Sequence, residues 1–326
     1  MRNIFVLSTA ALMVVMTSSS LQASKPEIVS VVKIWDHGEH NAFTDLIRFR
    51  DSWWCTFREA KDHGRSIGKV RVIVSRDGKE WVSAALVAQA GIDLRDPKLS
   101  VMPDGRLMLI MGGSVYDDKG SYQTRSPRVA FSTDGRQWTK PKKLLAEDHW
   151  LWRVTWHKGT GYSVSKLGNG RDPRRVMLYS THDGTRWDWL TEFRDIPAWP
   201  NEATIRFLDD DEMVILLRRN KTAWIGTSRP PHTQWNWTNT GLQIGGPNFI
   251  RLPDGSMWAA GRRYGKMATT VLARMTRDRF QVVLTLPSGG DCSYPGMVWH
   301  DGLLWMSYYS SHEAKTSIYL AKIRIQ

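Results

Sequence analysis

Ser75-Arg76-Asp77-Gly78-Lys79-Glu80-Trp81 returns as Ser132-Thr133-Asp134-Gly135-Arg136-Gln137-Trp138, and again as Thr181-His182-Asp183-Gly184-Thr185-Arg186-Trp187. Each copy follows a short apolar, β-branched run, at 70–74, 129–131 and 176–179. In such a turn Asp accepts backbone N–H groups, Gly takes the positive φ, and Trp folds back onto the sheet. Coincidental hairpins would not keep the hydroxyl residue and the tryptophan at constant offsets. The aspartates are 57 and then 49 residues apart. A turn repeated at that spacing marks a repeat architecture.

With the turn as a phase marker, the rest of the chain falls into units. Each holds an inner strand, a turn, a second strand, a third strand, and the boxed turn into a fourth. Inner and second strands are expected at 46–49 and 53–57, 98–101 and 107–111, 153–156 and 162–165, 204–207 and 213–217, 248–251 and 257–260, and 296–299 and 303–307. The fourth unit carries a worn box ending Trp235-Asn236-Trp237. The fifth is worn further, at Thr276-Arg277-Asp278, and the sixth has none. The sixth unit also lacks a fourth strand. The Val- and Ile-rich run 27–35 can supply it, closing the ring with the two chain ends and covering exposed strand edges. No helical periodicity is sustained over 12 residues after position 23. The expected fold is all-β, a six-bladed β-propeller in one domain over 24–326; five blades is the competing count.

Residues 1–23 read as a secretory signal. Arg2 opens it, 4–16 is apolar, and Leu21-Gln22-Ala23 suits cleavage. The run is too short for a membrane span, which needs about 20 apolar residues, so no membrane association is expected once it is removed. A secreted or periplasmic location follows. The formal net charge is +13, which suits an anionic partner. The positive charges are scattered with no run of five, which argues against a nucleic-acid arm. Cys55 and Cys292 are too few for a disulfide scaffold. They read as two buried thiols or one pair.

Propeller sites sit at one end of the central channel, where loops entering inner strands meet loops leaving second strands. The boxes lie on the rim and are not expected to be catalytic. The entering loops hold His40, Asn41, Thr44, Asp45, Arg95, Asp96, Trp152, Arg153, Asn201, Glu202, Asn248, Asp291 and Tyr294. The exit loops hold Arg58, Glu59, Asp62, His63, Arg218, Arg219, Arg262, Arg263, Tyr264, Tyr308, His312 and Glu313. Guanidinium forks suit carboxylate or sulfate. Trp81, Trp138, Trp187 and Trp235 belong to boxes and are structural, whereas Trp152 and Trp199 are placed to stack on sugar faces. His37, His40 and His63 show no zinc-ligand spacing, and neither a Gly-rich phosphate loop nor a nucleophile elbow occurs. No cofactor and no metal are expected.

These boxes, the six-unit layout and the loop set resemble the sialidase (neuraminidase) superfamily of Asp-box propellers. The resemblance spans residues 24–326. It implies a Tyr nucleophile activated by Glu, an Asp acid/base, and arginines that hold a substrate carboxylate. Asn201-Glu202-Ala203, with Arg218 across a hairpin, resembles the segment bearing the family's Glu and second Arg. Cys292-Ser293-Tyr294 resembles the segment of the nucleophile. Residues 58–64 resemble the acid/base region, with Asp62 as its candidate. Arg262 or Arg263 matches the third Arg. The first is missing, because Phe43-Thr44-Asp45-Leu46 stands in place of an Arg-Ile-Pro-like segment.

The resemblance therefore implies an exo-acting hydrolase on an anionic sugar of a glycan. Tyr294, Glu202 and Asp62 would be catalytic. Arg58, Arg95, Arg153, Arg218, Arg262, His63, Asp96, Trp152 and Asn248 would bind substrate. A neutral Tyr avoids the repulsion an anionic sugar would offer a carboxylate nucleophile. Glu202 would take its proton while nearby arginines stabilise the phenolate. Asp62 would protonate the leaving oxygen. An inverting hydrolase, a uronate-specific polysaccharide lyase and a non-catalytic carbohydrate-binding propeller remain open.

Overall fold

The computed structural model of the protein describes residues 25–64, 66–168, 175–197 and 199–325. The leader expected over 1–23 lies outside them. Six antiparallel sheets follow one another in a ring. Blade one runs His40–Phe49, Ser52–Ala60, Lys69–Ser75 and Val82–Val87. Blade two is Asp93–Val101, Leu107–Tyr116, Tyr122–Ser132 and the short Lys142–Lys143. In blade three the inner strand is broken into His149–Leu151 and Thr155–His157, both pairing with Thr160–Leu167. Blades four and five open on Pro200–Phe207 and Ile244–Arg251. Blade six takes Cys292–His300, Leu303–Ser310 and Ser317–Arg324 from the C-terminal end and Glu27–Trp35 from the N-terminal end. The expected six-bladed count and the closing strand are both present. Among the described residues no helix is long and apolar enough to cross a membrane.

The boxed turns show why their residues recur. Ser75 Oγ accepts the Gly78 N–H at 2.8 Å, and Asp77 Oδ1 accepts the Lys79 N–H at 2.9 Å. Ser132 with Asp134 and Thr181 with Asp183 make the same contacts. Each box also wedges against the preceding blade. A Cβ on Gly78 would lie 2.4 Å from the Trp305 ring, and one on Gly135 would lie 2.4 Å from Trp54. Bare glycine therefore serves both the left-handed turn and the packing between blades. Apolar clusters fill these seams; one joins Phe43, Leu46 and Trp53 of blade one to Trp305, Tyr309 and Leu320 of blade six. Cys55 and Cys292 are buried and unpaired.

Candidate active site

The site is built from one repeated irregularity. In five blades the inner strand carries two residues opposite one on the second strand. The bulged pairs are Phe43-Thr44, Asp96-Pro97, Asn201-Glu202, Gly246-Pro247 and Tyr294-Pro295. Blade three breaks its strand over 152–154 at the corresponding place. Bulges re-aim side chains and admit proline, which cannot serve an unbroken ladder. Here the bulges of blades one, two, four and six turn side chains toward the mouth of the channel. Phe43, Asp96, Asn201, Glu202 and Tyr294 all line one cavity of about 290 Å³. Larger hollows of about 590 and 600 Å³ open among the box turns at the rim, away from these groups.

Tyr294 and Glu202 meet at the cavity floor. The Tyr294 hydroxyl donates to Glu202 Oε1 at 2.8 Å. Arg218 stands opposite the 201–202 bulge, and its Nη1 reaches both Glu202 oxygens at 2.8 Å and the Tyr294 hydroxyl at 3.1 Å. Its Nη2 donates to the Tyr264 hydroxyl at 3.0 Å. Burial would raise the Glu202 carboxyl, but the Arg218 and Lys166 charges and the Tyr294 hydroxyl bring it below the usual range. Burial and the Glu202 charge push the Tyr294 phenol well above its ordinary value, against Arg218 and Arg262. At rest the proton therefore sits on tyrosine and the carboxylate waits to receive it. Asp96 is raised by burial, and its Oδ1 has no hydrogen-bond partner.

The walls are basic. Arg95, Arg125 and Lys166 line the cavity beside Tyr116, Tyr122 and Trp150. Arg125 Nε is buried without a hydrogen-bond partner. His63 lines the mouth. Its Nδ1 lies 2.6 Å from Asp291 Oδ2, and His40 Nε2 lies 3.0 Å from the same oxygen. Arg262 Nη2 donates to Asp291 Oδ1 at 3.0 Å and to the Tyr309 hydroxyl at 2.8 Å. Burial opposes ionisation of Asp291, but both histidines and Arg262 hold its carboxyl far below the usual range.

Several residues read from sequence as substrate contacts, and Asp62, read as the acid/base, make other contacts. Arg58 is fully buried, donating to Asp93 Oδ1 (2.7 Å) and to the carbonyls of Asp62 (2.6 Å) and Ser66 (2.7 Å). Asp62 Oδ1 accepts from the backbone N–H groups of Gly64 and Ser66 at 2.9 and 3.1 Å, so its carboxylate closes its own loop. Arg153 lies beneath the floor, paired with Asp45 Oδ1 at 2.5 Å and within 3.4 Å of the Pro295 carbonyl. Asn248 donates to that carbonyl at 2.9 Å. These two hold the bulge that carries Tyr294 and do not line the cavity. Trp152 is buried edge-on to Tyr294, with ring centroids 5.7 Å apart, and supports the nucleophile candidate from below. Arg262 is engaged by Asp291, Tyr309 and the Cys292 carbonyl. Tyr294, Glu202, Asp96, Arg95 and His63 line the cavity, with Arg218 behind them.

Sequence reasoning missed Arg125, Lys166 and Trp150. Arg125 sits on the third strand of blade two. The hairpin Leu107–Tyr116 to Tyr122–Ser132 is long, and its far end reaches the cavity. Its length was the available signal. Lys166 lies at the end of the second strand of blade three, where an exit-loop survey would find it.

No family model matches this chain, and no curated protein sequence matches it. Solved structures do. A protein of unknown function from Dyadobacter fermentans DSM 18053 aligns with TM-score 0.81 and 18% identity, covering 93% of this chain and 100% of that one. The α-L-arabinofuranosidase Arb93A from Fusarium graminearum, a point mutant in complex with an iminosugar inhibitor, aligns with TM-score 0.72 and 14% identity over 91% and 98% of the two chains. Trypanosoma rangeli sialidase with the inhibitor DANA aligns with TM-score 0.70 and 12% identity, covering 92% of this chain and 60% of that chain. The protein thus shares the propeller fold of sialidases and of an arabinofuranosidase.

Proposed function

We propose that the chain is an exported, exo-acting glycoside hydrolase of sialidase-like type acting on an anionic sugar. The observation that carries the reading is the buried contact of Tyr294 with Glu202, shared by Arg218 at the floor of a cavity. A phenol raised by burial, touching an ionised carboxylate, is a nucleophile with its base attached. Tyr294 attacks the anomeric carbon as its proton passes to Glu202. Arg218 stabilises negative charge on either oxygen. A cavity of about 290 Å³ lies at the small end of the range for ligand sites, which suits a single terminal ring.

Arg95, Arg125 and Lys166 supply the charge that selects an anion, from blades two and three. They stand in for the arginine missing from blade one, where Phe43 occupies the bulge. Asp96, with an unpartnered buried oxygen, is placed to bond a sugar hydroxyl. The sialidase and arabinofuranosidase that share the fold act on sugars, in keeping with this reading.

The test is hydrolysis of a panel of sialosides, glucuronides and arabinofuranosides by wild type and Tyr294→Phe. Cleavage that requires Tyr294 supports the proposal. Equal activity of the two proteins removes Tyr294 as nucleophile. Product carrying a new ultraviolet absorbance indicates a lyase instead, and binding without turnover a carbohydrate-binding propeller.

A further inference from the structure

The loop at 61–64 sets Asp62 and His63 side by side. Asp62 spends its carboxylate on backbone N–H groups. His63 stands at the cavity mouth with its side chain 54% exposed, and its Nδ1 is 2.6 Å from Asp291 Oδ2. An ionised carboxylate only accepts hydrogen bonds, so Nδ1 carries the hydrogen and Nε2 is the ring nitrogen left to give or take a proton. Asp291 is fixed from behind by Arg262 and Tyr309 on its other oxygen, at 3.0 and 3.2 Å, and by His40 on the shared one. The same Phe43 ring meets His63 at 5.2 Å and Tyr294 at 5.3 Å, so one aromatic spacer sets both groups around the cavity.

We propose that His63, oriented by Asp291, is the acid/base of this site. The inference rests on the glycosidase reading above. In the first step Tyr294 oxygen bonds the anomeric carbon and its proton goes to Glu202. The glycosidic C–O bond breaks with its electron pair on the leaving oxygen, which takes a proton from His63 Nε2. In the second step water loses a proton to His63 and bonds the same carbon. The C–O bond to Tyr294 breaks, and the phenolate recovers its proton from Glu202. Asp96 is the other acid lining the cavity, but its charge couples to Glu202 and Tyr294 and one oxygen is buried. It belongs with the nucleophile at the floor. The leaving group of a terminal sugar faces the mouth, where His63 stands.

His40, His63 and Asp291 also offer three ligand atoms of the kind that hold a metal ion. Their N···O distances of 3.0 and 2.6 Å are hydrogen-bond lengths. A tetrahedral zinc site with ligands at about 2.0–2.1 Å needs edges of about 3.3 Å. Arg262 on the same carboxylate adds a positive charge beside the position a cation would take.

The experiment compares aryl glycosides, whose leaving groups need no proton, with alkyl glycosides of the same sugar. His63→Gln and Asp291→Asn are expected to lose about 10²–10⁴-fold in kcat/KM on the alkyl substrate and far less on the aryl one. Asp96→Asn should lower both alike. Wild-type turnover with a uniform loss in His63→Gln, or none, overturns His63 and leaves the glycosidase reading intact. So does a leaving-group-selective loss in Asp96→Asn alone. Loss of wild-type activity in EDTA with recovery on adding zinc overturns it in favour of a metal site. No wild-type turnover on any sugar removes the glycosidase reading, and this inference with it.

Discussion

Gly246→Ala should disable the site while leaving the ring folded. Gly246 sits in the blade-five bulge with φ +55°, and a Cβ there would fall 2.0 Å from Cδ1 of Tyr294. Ordinary contact is 3.4–4 Å, so the Tyr294 ring must retreat by about 1.4 Å. The left-handed backbone costs alanine about 1–2 kcal/mol, and overpacking adds about 1–3 kcal/mol. Gly91→Ala supplies the control. It shares the positive φ, at +69°, but nothing lies within 4 Å of the added Cβ. Subtracting the two by urea denaturation isolates the clash, expected at about 1–3 kcal/mol. The displaced phenol loses its 2.8 Å bond to Glu202, and a misplacement of about 1 Å costs roughly 10² in rate. Gly91→Ala should turn over substrate normally. Equal stability of the two variants, with wild-type rate in Gly246→Ala, would refute the packing of Tyr294 against blade five.

Other expectations follow from the buried charges and thiols. Asp45→Ala strands the buried Arg153 guanidinium and should lower unfolding free energy by about 3–5 kcal/mol in urea; a loss below about 1 kcal/mol would show that the pair does not hold the floor. Lys98 is pushed down to about 8, chiefly by burial. The unfolded chain then binds its proton more tightly than the folded one between pH 8 and about 10.4, so stability should rise with pH across that window and bear the full penalty below it. The wild-type minus Lys98→Met difference should climb by about 3 kcal/mol, and a flat difference would contradict the burial. Burial also raises the Cys55 and Cys292 thiols. Neither should react with a disulfide reagent until denaturant is added; prompt labelling of the native protein would place a thiol at the surface.

The blade phase was legible because the boxed turn has a local cause. Ser75, Asp77 and Gly78 satisfy the turn's own backbone groups, so the pattern survives in sequence. The closing strand Glu27–Trp35 was legible by elimination, as the one β-rich run without a partner. Tyr294, Glu202 and Arg218 were reached through the resemblance, and the phase put them at the channel end. The bulges were written in the chain as Asp96-Pro97, Gly246-Pro247 and Tyr294-Pro295, three X-Pro pairs at one blade position. Read together they single out Asp96 and Tyr294. Contacts between blades were not legible. Nothing local says that Arg153 pairs with Asp45 across the channel, or that Arg58 is consumed by its own loop and Asp93. That Asp62 Oδ1 accepts from the Gly64 and Ser66 N–H groups is likewise decided only by the folded loop.

The central claim is that Tyr294 bonds the sugar. Incubation with a fluorinated glycosyl fluoride of the preferred sugar should trap that bond, because the fluorine beside the anomeric centre slows its hydrolysis. Peptide mass spectrometry should then find one added glycosyl group on the peptide containing Tyr294, absent in Tyr294→Phe. An adduct on another residue, or turnover of the natural glycoside with no adduct under trapping conditions, would contradict the account.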